Sequence, residues 1–277
     1  MRKFPYLHVL LFLLTFLSTL AVGALNEGAD IFKEPAKIYR GLPFSATLLC
    51  ILLAHEFSHY LASRRNGVQA TLPYFLPAPT LFGTLGAFIK MKSPINTRNA
   101  LMDIGASGPI AGFIVALIAT VIGLFLSKVV PVNKVEGMIT LGDSLLFKAL
   151  TRLIVGSVPD GYDVILHPVA FAGWIGLFVT ALNLIPIGQL DGGHIVYALI
   201  GERHARLSKV LIGVMVGLGL LLWEGWLVWA VLLIVLGSKH PPIIYSDFPL
   251  DQQRRRIGWL AVAIFVLTFI PVPITIA

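Results

Sequence analysis

Cysteine and charged residues are both scarce in this chain of 277 residues. It has one cysteine, Cys50, and 13% of its residues are charged, against about 25% in an average soluble domain. A single cysteine excludes an intramolecular disulfide and any metal site built from several thiolates. So few charges argue against an ordinary soluble domain, because 57% of the residues are hydrophobic. The composition therefore indicates a polytopic membrane protein.

The net charge of +7 comes from basic residues that lie between apolar runs. This placement predicts contacts with anionic lipid headgroups and does not indicate nucleic-acid binding. If the N-terminus is cytoplasmic, most of the 21 Lys and Arg residues fall on cytoplasmic segments, including the cluster Arg254-Arg255-Arg256. The positive-inside rule therefore predicts a cytoplasmic N-terminus.

A bilayer core is crossed by about 20 apolar residues in a helix. Seven apolar runs are candidates: 5–25, 43–63, 102–127, 167–187, 207–222, 226–238 and 257–275. The two runs on either side of Glu224 could also form one bent helix, so we expect six or seven transmembrane helices. The first run is long for a signal peptide and lacks a clear cleavage site, which favours a retained helix. Trp223, Trp226 and Trp229 are typical of anchors at the membrane surface.

The most informative motif is His55-Glu56-Phe57-Ser58-His59, which lies in the second apolar run. Residues four apart share one face of a helix, so His55 and His59 can present two imidazoles to one metal ion. Glu56 lies beside them, where its carboxylate can take a proton from an attacking water. Ionisable residues inside a membrane helix usually bind something or line a water-filled cavity. Structural histidines paired with a neighbouring helix are the alternative.

A catalytic zinc site needs a third protein ligand. The best candidate is Asp191, in the stretch that runs from Asn183 through Pro186 to His194 at the end of the fourth apolar run. If the second and fourth runs cross in the same direction, Asp191 and the two histidines lie at a similar depth, nearer the cytoplasm. The alternative is that Asp191 only caps a following short helix. His194 is either a partner of the site or a plain helix-start residue.

The segment 67–100 follows the histidine helix and is rich in proline and glycine, with strand-like alternation near its end. It predicts a short hairpin or re-entrant element, and an ordinary surface loop is the alternative. We therefore predict an all-α polytopic membrane protein with a short membrane-associated β-hairpin or sheet after the histidine helix. The segment 128–166 is too short for an added globular module.

Together these motifs resemble the site-2 proteases, a family of intramembrane zinc metalloproteases that cut single-span membrane proteins. Three stretches carry the resemblance: His55 to His59, Asn183-x-x-Pro186 followed by Leu190-Asp191-Gly192, and the small-residue stretch from Gly105 to Gly112. The likeness covers about residues 43–200. It implies three parts of the chain: 1–42 with the first helix and an outer loop, 43–200 as the catalytic membrane core, and 201–277 with the C-terminal helices.

The resemblance also implies the roles of individual residues. One Zn²⁺ per chain would be held by His55, His59 and Asp191, with Glu56 as the general base. Asn183 would contact the substrate backbone or the developing oxyanion. The strand residues Gly86, Ala87, Phe88 and Ile89 would hold an unwound substrate by edge pairing. Many relatives carry a PDZ domain between the two motifs, and this chain has no room for one.

The implied partners are a single-span membrane protein substrate and the lipid bilayer. The compact design suits a prokaryotic cytoplasmic membrane, and organelle membranes stay open. Three other functions are alternatives: a metal transporter that uses the same His/His/Asp set, a catalytically dead protein-binding relative, and a membrane zinc protease acting on soluble or lipidated peptides. Glu56 argues against the dead relative, and the Asn183-to-Asp191 motif disfavours the last. The sequence determines neither the substrate nor the oligomeric state.

Overall fold

A computed structural model describes residues 5–131, 139–237, 240–241, 243–245 and 248–276. Its helices are α1 (Tyr6–Asn26), α2 (Leu42–Arg65), α3 (Arg98–Leu126), α4 (Leu145–Ile154), α5 (Pro168–Asn183), α6 (Asp191–Ile200), α7 (His204–Leu221), α8 (Gly225–Leu236) and α9 (Gln252–Thr268). The strands are β1 (Tyr74–Pro77), β2 (Thr84–Phe88), β3 (Lys128–Pro131), β4 (Ile139–Leu141), β5 (Tyr162–Ile165) and β6 (Ile274–Ile276). The protein is mostly helical, and its strands form two-stranded pairs.

Four helical stretches in the described part are long and apolar enough to cross a membrane: Tyr6–Asn26, Pro35–Arg65, Arg98–Leu126 and Asp191–Leu221. Pro168–Asn183 and Gly225–Val235 are shorter apolar helices. The predicted run 257–275 is wrong at its end, because α9 stops at Thr268 and the chain turns at Pro271 and Pro273. The last residues form β6, which pairs antiparallel with β4. The expected count of six or seven spans stays a prediction.

The chain divides into two compact units. The first comprises Met1–Ser93, Ala111–Val130 and Ile154–Gly176. Within it, α1 and the start of α2 meet almost backbone to backbone, since a Cβ on Gly41 would lie 1.9 Å from the carbonyl oxygen of Leu20. Below that crossing, the buried hydroxyls of Thr19 and Ser45 are 2.6 Å apart. Ser45 Oγ also lies 3.3 Å from the carbonyl oxygen of Phe16 on α1. Small residues and hydrogen bonds between the helices thus hold α1 and α2 together, as is usual in membranes.

The hairpin in the first unit follows α2. Strands β1 and β2 pair antiparallel, with Phe75 opposite Ala87. Its turn contains Gly83, whose φ of +76° favours glycine and whose missing side chain lets the turn reach α1. There the Ser18 hydroxyl donates to the carbonyl of Gly83 over 2.6 Å, and Phe12 packs edge-on against Phe75. Helix α1 is therefore the support on which the hairpin rests.

The second unit comprises Pro94–Ile110, Pro131–Leu153 and Leu177–Ala277. Arg254 on α9 donates two hydrogen bonds of 2.7 Å to the carboxylate of Asp103 on α3, and it also pairs with Asp251. Trp226 is buried and donates its indole N–H to the carbonyl of Pro271 over 2.7 Å. The expectation that Trp226 anchors the chain at the membrane surface is therefore wrong, because its ring packs inside the unit against Phe269.

Candidate metal centre

The predicted histidine helix exists as α2, and its ionisable residues point inward. His55, Glu56 and His59 are all buried, at 5%, 6% and 5% exposure. One helical turn separates the two histidines, and their Nε2 atoms lie 3.1 Å apart. The nearer carboxylate oxygen of Glu56 is 4.0 Å from His55 Nε2. The side chains thus form one compact group of electron-pair donors on one face of the helix.

A glycine on α3 leaves room for this group. A Cβ on Gly112 would lie 3.1 Å from His55 Nδ1 and 3.2 Å from His55 Cβ, which is tighter than most real contacts. Any larger residue at position 112 would have to move the imidazole of His55. Gly112 ends the small-residue stretch noted in the sequence, and its contact gives that stretch a physical role beside the histidines.

Asp191 is the first residue of α6 and follows a tight loop. Helix α5 ends at Asn183, and Pro186 cannot continue it. The loop turns at Gly188, whose φ is +59°. Side chains at Gly192 and Gly193 would lie 2.0 Å from the carbonyl oxygen of Leu184 and 2.4 Å from that of Gly188. Only glycine therefore fits at positions 192 and 193, where the first turn of α6 packs against the preceding loop. Asp191 is the first residue of that turn.

The same helix α3 also touches the start of α6. A Cβ on Gly105 would lie 2.9 Å from the Cβ of His194 and 3.4 Å from the carbonyl oxygen of Asp191. Gly105 and Gly112 are seven residues apart, which is about two helical turns. Gly105 therefore lets the start of α6 approach α3 closely.

The ligand atoms of His55, His59 and Asp191 all lie within 4.8 Å of one another. Two imidazoles and one carboxylate are a donor set typical of catalytic zinc sites, which keep a fourth position open. Zinc–nitrogen bonds of about 2.0–2.1 Å in tetrahedral geometry place two nitrogens about 3.3 Å apart. The observed 3.1 Å between the two Nε2 atoms is close to that value. These residues therefore fit a single zinc ion.

The other predicted site residues lie where their elements place them. Asn183 is the last residue of α5 and is half-buried. Gly86, Ala87 and Phe88 belong to β2, while Ile89 lies just beyond its end. Within the described residues β2 pairs with β1 alone, so its second edge has no strand beside it. The substrate roles of these residues stay predictions.

Sequence reasoning missed a cluster of aromatic and imidazole rings on α6 and after α8. His194 Nδ1 and His240 Nε2 are 2.7 Å apart, and the ring of Tyr197 stacks on His240 with centroids 4.3 Å apart. The Tyr197 hydroxyl donates to Glu202 over 2.7 Å. Burial lowers the pKa of His240, which favours its neutral form. No sequence signal links residues 46 positions apart, so only the tertiary structure reveals this contact to His194.

Comparison with known proteins agrees with this geometry. The sequence model of Peptidase family M50 matches residues 43–223. The chain is 33% identical over 237 residues to "Probable zinc metalloprotease EGY1, chloroplastic" of Arabidopsis thaliana, a match that covers 83% of this chain and 43% of the relative. It is 30% identical over 237 residues to "Probable zinc metalloprotease EGY2, chloroplastic" of the same plant, with 84% and 42% covered.

A rice relative from Oryza sativa subsp. japonica, "Probable zinc metalloprotease EGY1, chloroplastic", is 29% identical over 296 residues, covering 96% of this chain and 50% of the relative. The chain thus spans about half the length of the curated relatives it matches. No solved structure matches it significantly. Because the family's sequence model covers more than half of the chain, including His55, His59 and Asp191, the resemblance to site-2 proteases is confirmed: the chain belongs to peptidase family M50.

Proposed function

We propose that this chain is an intramembrane zinc metalloprotease that hydrolyses peptide bonds within or near the transmembrane segments of other membrane proteins. The observation that carries the proposal is the grouping of His55, His59 and Asp191 within 4.8 Å, with buried Glu56 beside it. Membership of peptidase family M50 supports the peptidase activity. The apolar helices support a site within a membrane.

In this proposal His55, His59 and Asp191 hold one zinc ion and Glu56 is the general base. When bound, zinc supplies Lewis-acid activation of water and of the scissile carbonyl. Glu56 accepts the proton of the attacking water and later delivers a proton to the leaving amine. Burial of Glu56 limits competing solvent around its carboxylate, which suits a base that must exchange a proton with bound reactants.

The substrate must expose a peptide bond before it can be cut, because a helix hides its carbonyl groups in internal hydrogen bonds. We propose that an unwound segment pairs with Gly86, Ala87, Phe88 and Ile89 at the edge of the hairpin. Asn183 would then hold the substrate backbone or stabilise the developing oxyanion. The second edge of β2, with which no strand of the described residues pairs, and the half-buried position of Asn183 support these roles.

The proposed topology has six or seven spans with a cytoplasmic N-terminus and the active site nearer the cytoplasm. Residues 43–200 form the catalytic core, 1–42 precede it, and 201–277 supply the C-terminal helices. The proposed host is a prokaryotic cytoplasmic membrane and the substrate a single-span protein. The relatives described above are chloroplastic, so a plastid membrane is the competing location. Homology to zinc metalloproteases favours protease over metal transporter.

The test is to measure zinc content and cleavage of a single-span substrate in detergent, for wild type and Glu56→Gln. We expect both proteins to bind zinc and the variant to cut about 100- to 10,000-fold more slowly, as loss of a general base predicts. The mapped cut should fall in the membrane-spanning segment. Glu34→Gln, at an exposed position paired with Lys37, serves as the control and should keep full activity. Full activity of Glu56→Gln would contradict the proposal.

A further inference from the structure

A cavity lies at the opposite end of the hairpin from its turn. Its volume is about 900 Å³, within the range of about 300–1,000 Å³ that small-molecule sites occupy. Four parts of the first unit line it: the first turn of α1, the last two turns of α2, the chain from the end of α2 to the start of β1, and the chain just after β2. The side chains that carry its chemistry are His8, Tyr60, Arg64, Gln69, Tyr74 and Lys92.

The cavity is electrically positive. Arg64 and Lys92 both line it, and no carboxylate is among its described lining residues. Among the described ion pairs, neither cation has a carboxylate partner. Arg64 instead donates to the hydroxyl of Tyr60 over 3.3 Å and lies 5.8 Å from the centre of that ring. Two cations without anions on one wall are suited to an anionic ligand.

His8 adds an independent observation. Both of its ring nitrogens are buried, and neither has a hydrogen-bond partner in the described part of the chain. Buried polar atoms almost always have a partner, so an imidazole without one marks a place where a ligand or water binds. The ring is held firmly, because it stacks on Tyr74 with centroids 4.2 Å apart. His8 therefore places an imidazole without a hydrogen-bond partner in the wall of the same cavity as the two cations.

The position of the cavity indicates the class of ligand. Helix α1 begins here and α2 ends here, and both belong to candidate membrane spans. Lipid headgroups lie at the ends of spanning helices, and acyl chains lie along them. Above the cavity, α1 presents an exposed apolar stripe for such chains, formed by Leu7, Leu10, Leu14 and Leu17. A ligand with an anionic head and apolar tails fits both surfaces.

We propose that this cavity binds the phosphate headgroup of an anionic phospholipid, with Arg64, Lys92 and His8 as its donors. A zwitterionic headgroup fits less well, because its ammonium group would face the two cations. The bound lipid would link α1, α2 and the base of the hairpin, since each contributes to the lining. The proposal does not depend on the peptidase activity.

The experiment titrates the full chain in detergent with dioctanoyl-phosphatidylglycerol and follows binding by native mass spectrometry. We expect one lipid per chain. The double variant Arg64→Gln/Lys92→Gln should bind at least about 30-fold more weakly, because two charge-assisted contacts are lost. His8→Phe keeps the stacking on Tyr74 and loses only the donor, so it should weaken binding about threefold to fivefold.

The matched control is Arg65→Gln/Lys90→Gln, which removes the same charge from exposed neighbours that do not line the cavity. It should bind within about threefold of wild type, as expected for exposed charges at a distance. If both double variants weakened lipid binding equally, the lipid would be attracted by the overall positive charge of this surface and not by the cavity. That result would overturn the proposal. Should the cavity double variant fail to fold, Lys92→Gln alone must still weaken binding about fivefold.

Three further probes distinguish an anionic lipid from other ligands: a zwitterionic lipid, inorganic phosphate and an acidic peptide. Dioctanoyl-phosphatidylcholine should bind much more weakly than the phosphatidylglycerol, and equal binding overturns the choice of an anionic lipid. Inorganic phosphate should not compete at equal concentration, because it lacks the apolar tails. Competition at equal concentration would assign the cavity to free phosphate. An acidic peptide that binds more tightly than the lipid would assign it to a protein partner.

Discussion

Two clusters of ionisable side chains show opposite ways of placing charge in an apolar chain. Asp103, Arg254 and Asp251 join α3 to α9, and their side chains are 24%, 31% and 40% exposed. Each carboxylate there faces the guanidinium. His55, Glu56 and His59 on α2 are almost completely buried, and they lie beside one another and close to Asp191, so that electron-pair donors face further electron-pair donors.

The difference agrees with the proposal that the first cluster is structural and the second functional. The opposite charges of the first cluster neutralise each other, so this cluster stabilises the contact between two helices. Imidazoles and carboxylates gathered in a buried group are costly unless a cation or a proton joins them. The first cluster should therefore respond to mutation in stability, and the second in zinc binding and activity.

The largest expected effect comes from removing a proposed zinc ligand. His59→Ala should weaken zinc binding by more than about 100-fold. Mutation of a residue that only hydrogen-bonds a metal ligand usually lowers metal affinity about 10- to 100-fold, and loss of a ligand should lower it further. Zinc content after dialysis against a weak chelator measures this directly. His167→Ala, which removes a histidine at the start of α5, is the control and should retain zinc. If His59→Ala kept stoichiometric zinc, the proposed ligand set would be wrong.

The structural cluster should give a smaller effect of a different kind. Arg254→Gln removes both bonds to Asp103 and should destabilise the protein by about 1–2 kcal/mol, a value discounted for partial exposure. Thermal unfolding in detergent measures this, and zinc content should not change. Arg255→Gln alters the exposed neighbouring position and should have little effect. If both variants were destabilised equally, the loss of stability would come from removing a positive charge and not from breaking the ion pair with Asp103.

A steric change beside the histidines tests their positioning without touching a ligand. Gly112→Ala places a methyl 3.1 Å from His55 Nδ1, so the ring must shift by a few tenths of an ångström. We expect kcat/KM to fall about tenfold, because small displacements in a catalytic site are costly. Gly213→Ala on α7, where a new Cβ would meet nothing within 4 Å, is the matched control. It should leave activity unchanged, and a comparable loss there would remove the steric explanation.

The smallest effect is a dependence of stability on acid pH at α9. Asp251 caps this helix by accepting the backbone N–H of Arg254, and that bond and the guanidinium lower its pKa below 3.8. A lowered carboxyl pKa stabilises the folded state above about pH 4, and the contribution is lost as pH falls through the folded pKa. Unfolding midpoints of wild type and Asp251→Asn should therefore converge as pH falls from 5 to 3. A constant difference between the two midpoints across that range would show that the ionised Asp251 carboxylate is not the cause.

Local spacing made much of the site predictable. The four-residue interval in His55-Glu56-Phe57-Ser58-His59 determines that both imidazoles share a helix face, whatever surrounds them. Asp191 could be chosen because ionisable residues at membrane depth are rare and Pro186 marked a broken helix. The small-residue stretch was recognised, although its contacts with His55 and His194 required the structure.

Long-range contacts were not predictable. Nothing in residues 5–25 indicates that α1 supports the hairpin through Ser18 and Phe12. The segment 128–166 gave no sign that β4 would pair with β6 at the other end of the chain. Trp226 was expected at the membrane surface because tryptophan is common there, yet its burial depends on Pro271 and Phe269, more than 40 residues away.

By itself the sequence indicated the membrane class, the two proposed ligand motifs and the family, because composition and the spacing of residues along a helix are read directly from it. Only the tertiary structure decided which glycines make room for the site, what the first helix supports, and where His8, Arg64 and Lys92 form a positive cavity. Those features depend on contacts between residues that are distant in the sequence, and local sequence patterns do not predict such contacts.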